Sequence, residues 1–260
     1  MQNDHLTGND YLVSTDYLRK AETACHIAEK IVFCSDYIRR KALEAFPSIP
    51  PHKTSVIFNG VELSFLASSA CSLGNNLRLL FVGRIVPQKG LHLLLEAIDK
   101  VFCHFPQATL RIVGGINFGS SKEDEYLKTL KCKSEHWGER IVWVGPVPHN
   151  QIMLEFQQAD LFICPSIWNE PLGMVNAEAM ACGLPIVAFA KGGIPEIVGD
   201  AGILVEEITP EALAEGINQV LSDPELYQTL SQRGLQRVKE KFNWEKIAEA
   251  WWLSLDLCGV

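Results

Sequence analysis

Cys-x-x-Cys pairs are missing from this 260-residue sequence, and no apolar run approaches the roughly 18 residues that a membrane span needs. Between Ile141 and Val220 the only lysine or arginine is Lys191, against ten acids from Glu155 to Glu215. With a net charge of −8, this excludes a nucleic-acid or anionic-membrane surface across that stretch. The opening Met1-Gln2-Asn3-Asp4-His5 has no basic segment leading into an apolar core. The expectation is a soluble, unexported protein without a transmembrane segment, located in the cytoplasm or peripherally at the inner membrane face. Three further motifs are absent. Gly-x-Gly-x-x-Gly follows no strand candidate, and Gly114-Gly115-Ile116-Asn117-Phe118-Gly119 has the wrong spacing for it. Gly-x-x-x-x-Gly-Lys-Ser/Thr does not occur, which with the previous absence argues against a nicotinamide oxidoreductase and a Walker-type nucleotidase. No Asp-x-Asp cluster is available to chelate a divalent metal, so no metal site and no cofactor are expected.

The sequence does have a composition of 47% hydrophobic and 21% charged residues, which places it among globular proteins of one large domain, or one domain and part of another. Its eight cysteines are scattered singly, several in apolar strand-like runs such as Ile31–Cys34 and Leu161–Cys164. They read as small buried hydrophobes in a reducing compartment.

Periodicity predicts a helix over Asp16–Lys30, a strand over Ile31–Ser35, a helix over Tyr37–Ala45 stopped by Phe46-Pro47, and a strand over Ser55–Phe58 closed by the turn dipeptide Asn59-Gly60. The small polar stretch Ala67–Asn76 reads as a linker. From Leu77 onward, short apolar strands alternate with helices. The strands are Leu77–Val82, Thr109–Val113, Ile141–Val144, Leu161–Cys164, Pro185–Phe189 and Gly202–Val205. The helices are Leu91–Phe102, Glu123–Lys133, Gln151–Gln158, Met174–Cys182, Ile194–Val198 and Glu211–Leu221, and two more close the chain. Near-continuously apolar strands separated by helices imply a doubly wound α/β domain whose parallel sheet is buried on both faces. The last helix carries Trp244, Ile247, Ala248, Trp251, Trp252 and Leu255 on one apolar stripe, with Glu245, Lys246 and Glu249 opposite, which favours packing on protein over a membrane surface.

In such a sheet, ligands bind beyond the carboxyl ends of the strands. After the first strand comes Gly83-Arg84-Ile85-Val86-Pro87-Gln88-Lys89-Gly90, two cations beside glycines at a helix entrance. This suits phosphate, and two solvated loop charges are the alternative. After the fourth strand, Glu170 and Glu178 stand eight apart across a loop-to-helix junction, with Pro171 and Gly173 between them. Carboxylates that accept from paired hydroxyls, and free N–H groups of Gly173 to Val175 at a helix mouth, suit a polyol diphosphate. The alternatives are two ordinary helix acids, or a glycosidase pair about 5–5.5 Å apart. The cations opposite speak against the glycosidase.

These residues resemble glycosyltransferase family 4, retaining enzymes of the two-Rossmann-domain GT-B fold. The matching segments, in family order, are Val56–Glu62; Val82-Gly83-Arg84 with Lys89-Gly90; Ile112-Val113-Gly114; Val144–Val147; Pro165-Ser166 with Glu170 and Glu178; and Gly192–Glu196. They span about Ile31 to Trp252. The resemblance implies transfer of a sugar from a nucleotide-diphosphate-sugar donor to a glycan, lipid or small-molecule acceptor. Arg84 and Lys89 would neutralise the departing diphosphate without a metal, beside Gly83. Glu170 would hold sugar hydroxyls, and the backbone of Leu172, Gly173, Met174 and Val175 would face sugar and phosphate. Glu178 would bind the ribose and the backbone near Val147 the nucleobase. It also implies a division into an acceptor-side remnant (1–62), a linker (63–76), a donor-binding domain (77–240) and a C-terminal helix crossing back (241–260). Much of the family's N-terminal domain has no counterpart here. The expectation is therefore an N-terminally truncated enzyme, or a donor-binding subunit completed by a partner chain and inactive alone.

Overall fold

The computed structural model describes residues 15–63, 66–67, 73–74, 76–116 and 124–256. Most of the linker stretch, the polar lead-in and Asn117–Gly119 lie outside the described residues. A small N-terminal unit comprises α1 (Thr15–Ile27), β1 (Ile31–Phe33), α2 (Asp36–Ala45) and β2 (Thr54–Val56). β1 and β2 form a two-stranded parallel sheet with Ile31 opposite Thr54 and Phe33 opposite Val56. Ser35 starts α2 by accepting from the Ile38 N–H, and the helix ends at Phe46, before Pro47.

The larger unit contains β3 (Arg78–Val82), α3 (Leu91–His104), β4 (Thr109–Val113), α4 (Glu125–Ser134), β5 (Ile141–Gly145) and α5 (His149–Gln157). It continues with β6 (Leu161–Cys164), α6 (Met174–Ala181), β7 (Ile186–Phe189), α7 (Ile194–Val198), β8 (Ile203–Val205), α8 (Pro210–Ser222) and α9 (Pro224–Lys241). Six strands run in the order β5-β4-β3-β6-β7-β8, every pairing parallel. This is the expected doubly wound sheet, and the strand positions agree with the apolar runs to within one residue at either end.

Strand alternation divides the core in two. Leu79 and Phe81 of β3 and Leu161 and Ile163 of β6 pack with α3 and α8 on one face. Leu80, Val82, Phe162 and Cys164 pack with α6 and α9 on the other. Each strand is thus apolar at nearly every position because both pleat faces are covered by helices. Two charged residues at the sheet are neutralised locally. Arg111 on β4 forms a two-bond pair with Glu155 of α5 at 2.9 and 3.0 Å, and Arg78 pairs with Asp160.

Two expectations change. Asn59-Gly60 makes no turn. The chain crosses in irregular extended form to the end of α9, where the Val61 N–H donates to the Phe242 carbonyl at 2.8 Å and Phe58 stacks edge-on against Phe242. Gly60 lies against the Trp244 ring, where a Cβ would come within 2.5 Å. Second, the cysteines divide: Cys25, Cys164 and Cys182 are buried, Cys34 is half-buried, and Cys103 and Cys132 are exposed on the outer faces of α3 and α4. A lone cysteine at a helix surface has no apolar neighbours to cover it. In α10 (Trp244–Asp256) the apolar stripe packs on protein in part and is otherwise uncovered. Ile247 is 5% exposed, but Trp244, Trp251, Trp252 and Leu255 are between 44% and 67% exposed.

Two consequences are measurable. The uncovered α10 face should drive association, visible by light scattering and reduced in a Trp251→Ser/Trp252→Ser variant; a strictly monomeric wild-type chain would contradict it. Gly90 has φ 68° and a Cβ there would sit 1.8 Å from the Pro165 carbonyl oxygen. Gly90→Ala is therefore expected to cost more than about 2 kcal/mol in urea denaturation.

Candidate functional site

The strand order reverses direction between β3 and β6, so the loops leaving their carboxyl ends diverge to opposite faces and leave a crevice there. The glycine-bearing segment after β3 and the Glu170 segment after β6 both start at this point. Beyond β3 the backbone continues its ladder, with Gly83 N–H donating to the Val113 carbonyl and Ile85 N–H to that of Gly115. A single 3-10 turn, Pro87–Lys89, then ends on left-handed Gly90, the N-cap of α3. Because Gly90 has no Cβ, this turn lies directly on the β6 loop, and the Ile167 N–H donates to the Gln88 carbonyl at 3.0 Å.

That contact decides the neighbours of the charged residues. Lys89 is ion-paired with Glu170 through Oε1, an acceptor that also takes the Ser166 hydroxyl at 2.8 Å. Lys89 further lies 5.8 Å from the Trp168 ring centroid. Glu170 is 7% exposed, and its Oε2 makes no hydrogen bond among the described residues. The sequence suggested two cations facing an anion; here one of them is already engaged by the carboxylate, because the tight turn carries Lys89 across the crevice. Arg84 is exposed and makes no hydrogen bond or ion pair among the described residues. Among the described residues its charge is uncommitted.

After Glu170 the chain bends at Pro171, buries Leu172 and enters α6 through Gly173 at φ 81°. No side chain caps this helix end. The N–H groups of Gly173, Met174 and Val175 have no intrahelical acceptor and form its electropositive mouth. Asn176, fully buried, steadies the bend by donating from Nδ2 to the Gly173 carbonyl at 2.9 Å. Glu178 is half-buried on the second turn, the only charged residue in a helix whose other residues from Asn176 to Ala181 are buried. Val147, between β5 and α5, is half-buried against the second core face.

Cys164, at the end of β6 beneath these groups, has its thiol pushed up to about 11, first by burial and then by the Glu170 carboxylate. It stays neutral at physiological pH, which argues against a thiolate nucleophile here. Two buried polar atoms of the same segment, Trp168 Nε1 and Asn176 Oδ1, have no hydrogen-bond partner. A loop with unused polar capacity beside an uncapped helix is suited to a polar ligand. A separate cleft of about 200 Å³ between α3 and α4 is lined by His92, Glu96, Asp99 and Trp137 among others. There the Trp137 indole donates to Asp99 at 2.6 Å, and His92 pairs with the Tyr126 hydroxyl.

Reading by residue type missed Ser166, Trp168 and Asn176 as parts of this arrangement. A signal existed for two of them: Ser166 stands four residues before Glu170, and Asn176 interrupts an apolar run.

Residues 72–237 match the family model described as glycosyl transferases group 1. Spore coat protein SA of Bacillus subtilis is 30% identical over 237 residues, covering 85% of this chain and 63% of that protein. Alpha-maltose-1-phosphate synthase of Mycolicibacterium smegmatis is 31% identical over 263 residues, covering 93% of this chain and 66% of that protein. The chain thus spans less than two thirds of these relatives. Among solved structures, Anabaena Alr3699/HepE in complex with UDP is 27% identical with a TM-score of 0.82, over 94% of this chain and 68% of that one. The same protein has been solved with UDP and glucose and with UDP-glucose. Sucrose-phosphate synthase from Thermosynechococcus elongatus is 25% identical with a TM-score of 0.78, over 99% of this chain and 65% of that one. With its parallel doubly wound sheet and a family match over most of its length, the chain belongs to the glycosyl transferases of group 1, the GT-B family that its motifs resemble.

Proposed function

We propose that this chain binds a nucleotide-diphosphate sugar at the β3/β6 crevice and supplies the donor half of a retaining, metal-independent glycosyl transfer. The observation that carries the reading is the convergence of the uncommitted Arg84, the Lys89–Glu170 pair and the uncapped α6 mouth at one strand-order reversal. The UDP and UDP-glucose complexes of Alr3699/HepE support uridine diphosphate as the nucleotide to test first.

Breaking a glycosyl–phosphate bond builds positive charge at the anomeric carbon and negative charge on the leaving diphosphate. Arg84, without a partner among the described residues and beside Gly83, would meet the diphosphate with two N–H donors at once. Lys89 adds a second positive charge while orienting Glu170, whose Oε2 remains for sugar hydroxyls. The N–H groups of Gly173, Met174 and Val175 complete the anion site, beside Leu172. Glu178 takes the ribose hydroxyls and the Val147 backbone the base. A positive field assembled from side chains and amides performs the charge neutralisation that a divalent cation would otherwise supply, which is the ground for the metal-independent reading. The acceptor is a glycan, lipid or small molecule. The six described cysteines without disulfides fit a cytoplasmic setting.

A second reading rests on the chain's coverage of 63% of the spore coat protein and on the two-stranded sheet before β3. It is a donor-binding part that requires a further N-terminal domain or partner chain for turnover.

By calorimetry, UDP should bind the isolated chain, and Glu178→Ala and Arg84→Ala should each weaken it strongly; unchanged affinity in both would refute the site. In any form competent for turnover, loss of Arg84 should cost on the order of a hundredfold, the worth of roughly 3 kcal/mol of preorganised stabilisation. Lys89→Ala should in addition lower folding stability by about 3 kcal/mol, since it leaves a buried carboxylate unpaired.

A further inference from the structure

The N-terminal unit meets the walls of the donor crevice through Ser35, on the segment that carries Glu170, and through Glu196 of α7, whose leading glycines press on that segment. Ser35, fully buried, donates its hydroxyl to the Pro171 carbonyl at 2.5 Å while accepting from the Ile38 N–H at 3.2 Å. Glu196, on α7, spans both first-turn amides of α2: Oε2 accepts from Asp36 N–H and Oε1 from Tyr37 N–H, each at 2.7 Å. The two bonds together fix the carboxylate in plane and orientation, and it also sits at the favourable end of the α2 dipole.

Between these points the packing allows no slack. The Gly193 N–H donates to the Glu170 carbonyl at 2.7 Å. A Cβ on Gly192 would approach the Glu170 carbonyl oxygen to 2.2 Å, and one on Gly193 the Pro171 carbonyl oxygen to 2.5 Å. The glycine pair is therefore pressed against the backbone of Glu170 and Pro171. The far end of α7 is anchored as well, by Arg237 of α9, which donates to the Ile197 carbonyl at 2.6 Å and the Glu196 carbonyl at 2.8 Å. A continuous series of hydrogen bonds thus runs from α9 through α7 to α2, with the Glu170–Pro171 backbone enclosed between α2 and the glycines.

We infer that Ser35 and Glu196 are positioning residues, a two-point latch through which the N-terminal unit sets the place of the Glu170 carboxylate in the donor site. Neither touches donor in the reading above, on which this inference rests; both act through the backbone at Glu170 and Pro171. The latch makes the sugar-contacting carboxylate dependent on the N-terminal unit, while the diphosphate groups on the β3 loop and the α6 mouth belong to the larger unit alone. Loss of the latch should therefore affect recognition of the sugar more than recognition of the nucleotide.

The test compares wild type, Ser35→Ala, Glu196→Gln and Glu196→Ala as full chains, titrated separately with UDP and UDP-glucose by calorimetry. The Glu196→Gln variant keeps one acceptor oxygen where Glu196→Ala keeps none, so a graded series is expected. The preference for UDP-glucose over UDP should fall about tenfold in Glu196→Ala, less in Glu196→Gln, with UDP affinity falling less than about threefold. Equal losses for both ligands, or no loss for either, would overturn the inference. Amide hydrogen exchange provides a ligand-independent readout. Asp36, Tyr37 and Gly193 N–H should exchange faster in the variants at matched global stability, and unchanged protection would refute the latch. A wild-type chain that binds neither ligand would instead refute the donor site, leaving exchange to decide the latch by itself.

Discussion

The arrangement of this protein depends on one close approach, that of the Pro87–Gly90 turn to the Pro165–Glu170 loop at the middle of the sheet. A Cβ at Gly90 would lie 1.8 Å from the Pro165 carbonyl oxygen, so the two loops are in backbone contact. Everything polar in the crevice follows from it. Lys89 reaches Glu170, Ser166 shares the same carboxylate oxygen, and the Ile167 amide finds its acceptor on Gln88. Burying a carboxylate is costly unless a paired cation and further hydrogen bonds replace its lost hydration, and the turn geometry supplies both.

The sheet explains why this contact can exist. Parallel strands leave all their carboxyl ends on one side, and the order β5-β4-β3-β6-β7-β8 sends successive crossovers away from β3 and β6 in opposite directions. The gap between their loops is bounded by α3 on one face and α6 on the other, each beginning at a left-handed glycine without a side-chain cap. Both helices thus start without a side-chain cap, and the mouth of α6 leaves N–H donors at the crevice. This combination of fixed amides and one uncommitted guanidinium is what relates the geometry to glycosyl transfer from a diphosphate donor.

The N-terminal unit is smaller than its structural consequences suggest. Two short paired strands and two helices make a marginal sheet alone. Its interface with the larger unit, through Ser35, Glu196, Phe58 and Val61, supplies what the sheet lacks. The exposed tryptophans of α10 mark where the cover on this side is incomplete within the chain itself.

Much of this was legible from residue order. Near-continuous apolar strands such as Leu161–Cys164 can only be buried on both faces, so the doubly wound sheet follows from local composition and spacing. The candidate groups could be named for the same reason: whatever follows a strand in a parallel sheet lies on its ligand side. Pairing was not legible, because it depends on distances between segments far apart in the chain. Lys89 and Glu170 are 81 residues apart and Glu196 and Asp36 are 160 apart, and no periodicity encodes such separations. Asn59-Gly60 illustrates the same limit, since a turn-forming dipeptide became an extended crossing once Trp244 lay against it. The amino-acid sequence by itself determined the sheet, its helices and the residue types at its carboxyl edge, through local propensity and burial. Only the tertiary structure decided which charges neutralise each other and which, like Arg84 among the described residues, stay open, because that depends on which loops the fold brings into contact.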